Sequence, residues 1–327
     1  MPNCPAPNPP VRTVLLAEPR GFCAGVRRAI AIVEQALERY GPPVYVRKEI
    51  VHNHHVVADL RSRGAVFVDS EDEVPEGALC IFSAHGVAPA VRDNAARRSL
   101  DVIDATCPLV AKVHQEARRF ARDGRTLLLV GHSSHEEVEG TYGEAPDRTV
   151  IVETVQDARS IEIDAATPTA LLTQTTLSLD ETREITDALR DRFPYLAIPP
   201  TSDICYASEN RQQAVKAIAR RADLVLVVGS ANSSNSIRMV EVAQAAGARA
   251  HLVPDADHLT AAWLDGVTTV GVSAGASAPE NLVDDLLAVL AGHGFADIRV
   301  ERAATENVEF TLPARLNAPA AEGEGAR

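Results

Sequence analysis

Short β-branched runs alternate with amphipathic stretches from one end of this 327-residue chain to the other. Residues 13–16 read as a strand, and Val26, Ala29, Ile30, Val33, Leu37 and Tyr40 then share one helical face that Gly41-Pro42 ends. Further strands are expected at 44–46, 65–68, 79–82, 126–130, 224–228 and 269–272, and helices near 56–63, 109–122, 180–192, 212–221, 237–246 and 281–290. Alternation of this kind specifies parallel sheets with helices packed on them, an α/β fold. The length exceeds what one hydrophobic core usually serves, so two or three lobes are expected.

Two interleaved series of similar segments favour three lobes. Ile81-Phe-Ser-Ala-His-Gly86, Leu128-Leu-Val-Gly-His-Ser133 and Leu226-Val-Val-Gly-Ser-Ala231 each run from an apolar strand into small and polar residues. Gly21-Phe-Cys-Ala-Gly25, Ala105-Thr-Cys-Pro108 and Asp203-Ile-Cys-Tyr206 each place a cysteine in a tight turn before a helical stretch. The simplest arrangement is three pseudo-equivalent α/β lobes, each giving one cysteine to a common centre. Their expected bounds are 13–106, 107–204 and 205–312, after a proline-rich leader at 1–12 and before a flexible tail at 313–327.

Lys+Arg 32 against Asp+Glu 45 gives a net charge of −13, which speaks against nucleic acid or an anionic membrane as partner. Three of the 32 basic residues are lysine, a skew attributed to genomic base composition. The longest apolar runs are four or five residues, far short of the roughly 20 that span a bilayer. The leader has no apolar segment of signal-peptide type, so a cytoplasmic location is expected.

Five cysteines are too few for a disulfide framework in a chain of this size. Cys80 reads as a buried strand residue and Cys4 lies in the leader. Cys23, Cys107 and Cys205 sit beside glycine, proline or polar residues, which fits buried small hydrophobes poorly. Structural zinc would want a Cys-x-x-Cys pair, which the sequence lacks, whereas three distant thiolates suit a cubane iron–sulfur cluster with one open iron.

Histidines gather in Val51-His-Asn-His-His55 and Gly131-His-Ser-Ser-His135, with His85 at a strand end. The segment 131–140 lacks the His-Glu-x-x-His of zinc peptidases. His114, His251, His258 and His293 read as ordinary core or surface residues. Serine- and asparagine-rich loops at 229–236 and 273–279 precede helices, whose N-termini attract anions or are simply capped by such residues. No dinucleotide or triphosphate-binding glycine motif is present. The set suits a small phosphorylated ligand.

Pro19-Arg-Gly-Phe-Cys-Ala-Gly-Val26, Val51-His-Asn53, Ser83-Ala-His-Gly-Val87 and Asp104-Ala-Thr-Cys-Pro-Leu-Val110 resemble the LytB family. These are the hydroxymethylbutenyl diphosphate reductases of the non-mevalonate isoprenoid pathway. The segments 131–141, 173–178, 203–206, 233–236 and 274–279 are similar to the same family, so the resemblance runs from about Val14 to Phe310.

The resemblance implies a trefoil of three lobes around a central iron–sulfur site. It implies one [4Fe-4S] cluster on Cys23, Cys107 and Cys205. It implies a substrate diphosphate held by His52, His85, His135, Ser233, Ser234, Asn235 and Ser277. Glu137 is implied as the proton-delivering carboxylate, and Thr175 as the hydroxyl that positions the substrate alcohol or relays the proton. His54, His55 and His132 are supporting residues at best. The activity implied is reductive loss of hydroxyl from (E)-4-hydroxy-3-methylbut-2-enyl diphosphate, giving isopentenyl and dimethylallyl diphosphate with electrons from a ferredoxin- or flavodoxin-type donor. Competing readings are a three-lobed cluster dehydratase resembling quinolinate synthase, which consumes no electrons, and a cluster-based sensor.

Overall fold

The computed structural model of the chain describes residues 11–317, where twelve strands and eleven α-helices occur. The strands are β1 (Thr13–Glu18), β2 (Val44–Arg47), β3 (Ala65–Val68), β4 (Leu79–Phe82), β5 (Asp101–Asp104), β6 (Thr126–Val130), β7 (Thr149–Val152), β8 (Thr169–Thr173), β9 (Leu224–Val228), β10 (Arg249–Val253), β11 (Thr269–Ala274) and β12 (Asp297–Arg302). The helices are α1 (Ala24–Tyr40), α2 (His54–Ser62), α3 (Pro89–Arg97), α4 (Pro108–Arg122), α5 (Glu136–Tyr142), α6 (Val155–Ser160), α7 (Leu179–Arg192), α8 (Tyr206–Ala219), α9 (Ser234–Ala245), α10 (Glu280–Gly292) and α11 (Ala314–Asn317).

Two compact units form. One combines the described residues up to Phe22 with Glu209–Glu306, and the other combines Cys23–Ser208 with the described residues from Asn307 onward. The first holds a five-stranded sheet in the order β10-β9-β11-β1-β12. The second holds two sheets, β3-β2-β4-β5 and β7-β6-β8. Every paired strand in all three sheets is parallel.

Parallel strands need a helix on each face, and the side chains of β9 divide accordingly. Leu224, Leu226 and Val228 pack with Leu282, Val283 and Leu286 of α10, while Val225 and Val227 pack with Val215 and Ile218 of α8 and Met239 of α9. The same alternation governs β6. Leu127 and Leu129 meet Val113, Ala117 and Phe120 of α4, and Leu128 and Val130 meet Ile185 and Leu189 of α7. All these strand residues are essentially fully buried, each contributing about 1.5–3 kcal/mol of apolar transfer.

Three parallel sheets match the three expected α/β lobes, but the sheets divide the chain differently at its start. Residues 13–18 pair with β11 and β12, in register from Thr13↔Thr269 and Thr13↔Asp297, and so join the sheet of residues 224–302. The physical reason is burial: Val14, Leu15, Leu16 and Ala17 are all buried, as an interior strand needs on both faces.

Five strands escape the periodicity reading. β5 is bracketed by Asp101 and Asp104, and β12 (Asp-Ile-Arg-Val-Glu-Arg) is a charged edge strand. β7, β8 and β10 are four or five residues each. The tail expected from residue 313 opens with the packed turn α11, where Arg315 donates to both carboxylate oxygens of Asp101 and, at 2.9 Å, to the Tyr40 hydroxyl. The rest of the tail, the first ten residues of the leader and Cys4 lie outside the described residues. Among the described residues no helix is long and apolar enough to cross a membrane.

Candidate active site

Each of the three singled-out cysteines stands immediately before a helix. Cys23 is the N-cap of α1 and its Sγ accepts the Val26 N–H at 3.4 Å. Cys107 precedes α4, whose first residue is Pro108. Cys205 precedes α8, and its Sγ accepts the Ser208 N–H at 3.3 Å and lies 3.2 Å from the Ser208 hydroxyl. At Cys23 and Cys205 sulfur thus takes the capping role usual for serine or aspartate, whereas Cys107 makes no such cap bond. The N–H groups donated to sulfur and the positive helix end favour negative charge there.

Burial acts in the opposite sense on the bare thiols. It pushes Cys107 up to about 12 and Cys205 to about 11, and the neighbouring cysteine sulfurs push the same way. Burial outweighs the helix ends in the bare protein, and a bound cation would act in the opposite sense. Gly25 shows how close the sulfurs come. A Cβ built there would lie 2.8 Å from Cys107 Sγ and 3.8 Å from Cys23 Sγ, so only glycine leaves room at this point of α1. Three soft sulfur donors at three helix starts, two of them close against Gly25, fit a thiolate-held iron–sulfur cluster. Cys80 behaves as the sequence suggests: it is buried in β4 and its thiol is pushed up to about 12 by that burial.

Beside the cysteines lies a buried acid. Glu137 of α5 is 3% exposed, and burial pushes its carboxyl up to about 7. Thr175 N–H donates to Oε1 at 2.6 Å and Thr175 Oγ1 to Oε2 at 3.0 Å, both interactions favouring the ionised form without outweighing burial. The same Thr175 accepts the Cys205 N–H on its carbonyl at 3.0 Å, which ties acid, hydroxyl and third cysteine into one piece of structure.

Three histidines cluster in the same unit. The His52 and His85 rings stack at 4.0 Å, and His135 meets them edge-on at 5.3 and 5.8 Å. His135 N-caps α5 by accepting the Glu137 N–H on Nδ1 at 3.2 Å, which puts its proton on Nε2. His85 Nδ1 lies 3.1 Å from Glu136, and His52 Nδ1 lies 3.2 Å from Glu49. Burial, reinforced by the neighbouring rings, lowers His85 and takes His135 down to about 3. Both are therefore neutral at pH 7. Burial opposes ionisation of Glu136, but its bond to His85 and the charges of His85, His52 and Lys48 together outweigh it and hold the carboxyl below its usual range.

Ser233, Ser234, Asn235 and Ser277 belong to the other unit and are all buried. Ser233 N-caps α9 through the Ser236 N–H, and Asn235 Oδ1 accepts the Ala276 N–H at 2.8 Å, which joins the two serine-rich loops. Gly275 and Gly229 let these loops close on Ser236, since a Cβ on either would overlap its hydroxyl. The capping reading of these loops is thus met at the start of α9.

Outside these groups, His114 is buried against Glu144 at 2.8 Å and His251 stacks on Trp263 at 4.1 Å, in agreement with their ordinary reading. His132 lies 3.9 Å from Glu153. Sequence reasoning missed Glu136, Ser208 and Asp203. The Cys-x-x-Ser spacing of 205 and 208 was the available signal for the second, a helix cap written with sulfur.

A family model described as LytB protein matches residues 14–291. A curated relative from Acidothermus cellulolyticus, named 4-hydroxy-3-methylbut-2-enyl diphosphate reductase, is 58% identical over 312 residues, covering 95% of this chain and 92% of its own. A relative of the same name from Leifsonia xyli subsp. xyli is 59% identical over 306 residues, covering 93% and 91%. Among solved structures, the E-1-hydroxy-2-methyl-but-2-enyl-4-diphosphate reductase of Plasmodium falciparum aligns with TM-score 0.92 at 37% identity, over 94% of this chain and 98% of that one. A second structure, that of an (E)-4-hydroxy-3-methyl-but-2-enyl diphosphate reductase, the terminal enzyme of the non-mevalonate pathway, aligns with TM-score 0.61 at 29% identity, over 86% of this chain and 99% of that one.

Proposed function

The chain belongs to the LytB protein family, and from that premise we propose that it reduces (E)-4-hydroxy-3-methylbut-2-enyl diphosphate to isopentenyl and dimethylallyl diphosphate. The observation that carries the reading is a fully buried carboxyl near neutrality, bonded through Thr175 to the segment of Cys205. Cys23, Cys107 and Cys205 would hold a [4Fe-4S] cluster with one iron left open. When bound, such a cluster supplies electrons one at a time and Lewis acidity at the iron that carries no cysteine. The donor of those electrons is taken to be a ferredoxin- or flavodoxin-type protein, and the location cytoplasmic.

The overall change breaks the allylic C–O bond and consumes two electrons and two protons. One proton leaves with the hydroxyl as water, and the other joins carbon at either end of the allyl unit, giving two isomeric products. Glu137 supplies the first proton. In its protonated form Oε2–H donates to Thr175 Oγ1, whose own hydrogen then turns to the substrate oxygen. The Thr175 N–H holds Oε1 meanwhile, so the carboxylate formed is stabilised where it stands. His52, His85 and His135, with Ser233, Ser234, Asn235 and Ser277, are assigned to the diphosphate. That group takes no part in the bond change, and its binding energy orients the carbon chain.

Histidines that are neutral in the free protein give diphosphate binding a definite pH dependence. An anion raises the pKa of His85 and His135, so binding takes up protons and weakens as pH rises through the pKa values of the complex. Each proton taken up makes the affinity fall about tenfold per pH unit in that window. Calorimetry in buffers of different ionisation enthalpy should show net uptake, and a buffer-independent heat would contradict it.

The activity itself is tested on anaerobically reconstituted protein with hydroxymethylbutenyl diphosphate and a one-electron reductant. Substrate-dependent oxidation of the reductant with release of both isomers supports the proposal. Turnover without electron consumption would favour a dehydratase, and binding without turnover a sensor.

A further inference from the structure

Beyond the cysteines themselves, three basic residues repeat one relation to them. Arg28 lies five residues after Cys23, on α1, and donates from Nη1 to the carbonyls of Ala105 and Thr106 at 3.2 and 3.1 Å. Those carbonyls are the two immediately before Cys107. Lys112 lies five residues after Cys107, on α4, and donates to the carbonyls of Thr201 and Ser202 and to Asp203 Oδ1 at 3.1, 3.0 and 3.0 Å. That segment leads into Cys205. Arg211 lies six residues after Cys205, on α8, and donates from Nε and Nη2 to the carbonyl of Gly21 at 3.1 and 2.7 Å. Gly21 is two residues before Cys23. The order closes on itself: the helix that follows each cysteine carries, just over one turn along, a cation that grips the backbone leading to the next.

We propose that Arg28, Lys112 and Arg211 are positioning residues that hold the three cysteine turns in the geometry a cluster requires. The inference rests on Cys23, Cys107 and Cys205 being the ligands. Each cation satisfies carbonyls in an irregular turn, where no ladder or helix would otherwise take them. Arg211 is wholly buried and is held in turn by Glu306 at 2.9 Å, a pairing that fixes the guanidinium on the Gly21 carbonyl. Asp203, itself gripped by Lys112, accepts the Thr173 N–H at 3.0 Å on its second oxygen. The turn before Cys205 is thereby pinned both to the helix of Cys107 and to the end of β8. The hydrogen bonds from the three cations to these carbonyls all go to the turns, which fixes their place, and the Arg28 charge is in addition felt at Cys107. A cluster held by only three residues releases iron when any one turn drifts, which makes these cations matter out of proportion to their modest surface exposure.

The test compares the wild-type chain with Arg28→Met, Lys112→Met and Arg211→Met. Arg63→Met, which breaks an exposed pair with Glu34, serves as control, and Cys205→Ser as ligand variant. All are loaded anaerobically with iron and sulfide, and iron release to a ferrous chelator is timed. The thermal midpoint of each iron-free chain is measured alongside. The expected result is release at least about tenfold faster in the three positioning variants than in wild type or Arg63→Met, by analogy with other outer-sphere losses. The iron-free midpoints of Arg28→Met and Lys112→Met should fall little further than that of the control. Arg211→Met, which leaves Glu306 without its guanidinium partner, also lowers its midpoint and is compared at a temperature where every iron-free chain is folded. Release at the control rate, or acceleration that only tracks a lowered midpoint, would overturn the proposal. Should a Met variant not fold, the Gln variant at that position replaces it under the same criteria. A wild-type chain that holds no iron, or a Cys205→Ser chain that holds the wild-type amount, would instead sink the ligand assignment beneath it.

Discussion

Glu137→Gln lowers turnover by about a hundred- to ten-thousandfold while leaving iron content and diphosphate affinity close to wild type. The amide keeps the volume of the acid and accepts the Thr175 N–H on its oxygen, so the fold around α5 has little reason to change. What it lacks is a proton to give. In the wild-type protein burial keeps that proton on the carboxyl up to about pH 7. The pH profile follows from the sign of this shift: a group that works protonated is active below its pKa and fades as pH rises through it. Turnover at saturating substrate should therefore fall on the alkaline side, with the anionic ligand moving the limb higher than in the free enzyme. Single-turnover kinetics across pH would check both points. A Glu137→Gln chain with wild-type turnover would remove the acid from the mechanism.

Cys107→Ser should have the other large effect, abolishing turnover together with the full iron content. A serine oxygen is a hard donor that ionises far less readily than sulfur, and at this position it is buried among two remaining thiols. The serine chain should still fold, since serine before Pro108 preserves the helix start of α4. Iron and sulfide analysis beside circular dichroism separates the two properties. Four irons per chain in a folded serine variant would contradict the assignment of Cys107.

The fold class was legible because parallel strands buried on both faces leave unbroken apolar runs, as at 126–130 and 224–228. The strands that stayed hidden are short or edge-placed, and β12 is stabilised by partners and not by its own hydrophobicity. Cys205 reads as standing before a helical stretch, but the sequence places that helix only near 212–221, because Cys205 and Ser208 form the cap of α8 and sulfur is not among the usual capping signals. The cysteines and histidines of the site announced themselves by residue type. Glu136, Asp203 and the three cations did not, because their roles come from neighbours 51, 30, 77, 89 and 190 residues away in sequence. The skew against lysine also concealed something. Lys112 presents three donors to three acceptors, a disposition that a planar guanidinium does not reproduce.

The placing of β1 sets a timetable for biosynthesis. Its register partners lie 269 − 13 = 256 and 297 − 13 = 284 residues downstream. At a bacterial-type elongation rate β1 leaves the ribosome roughly 13 to 50 s before the first of them. Through that interval the run Val14–Ala17 has no sheet to enter, while Cys23–Ser208 can already collapse around its own two sheets. Both sheets of the cysteine-bearing unit are thus made before β1 has a partner, although the segment that completes that unit, from Asn307, follows β12. The strand made at the outset is the strand that waits longest for partners, and until then it is a segment for chaperones to shield.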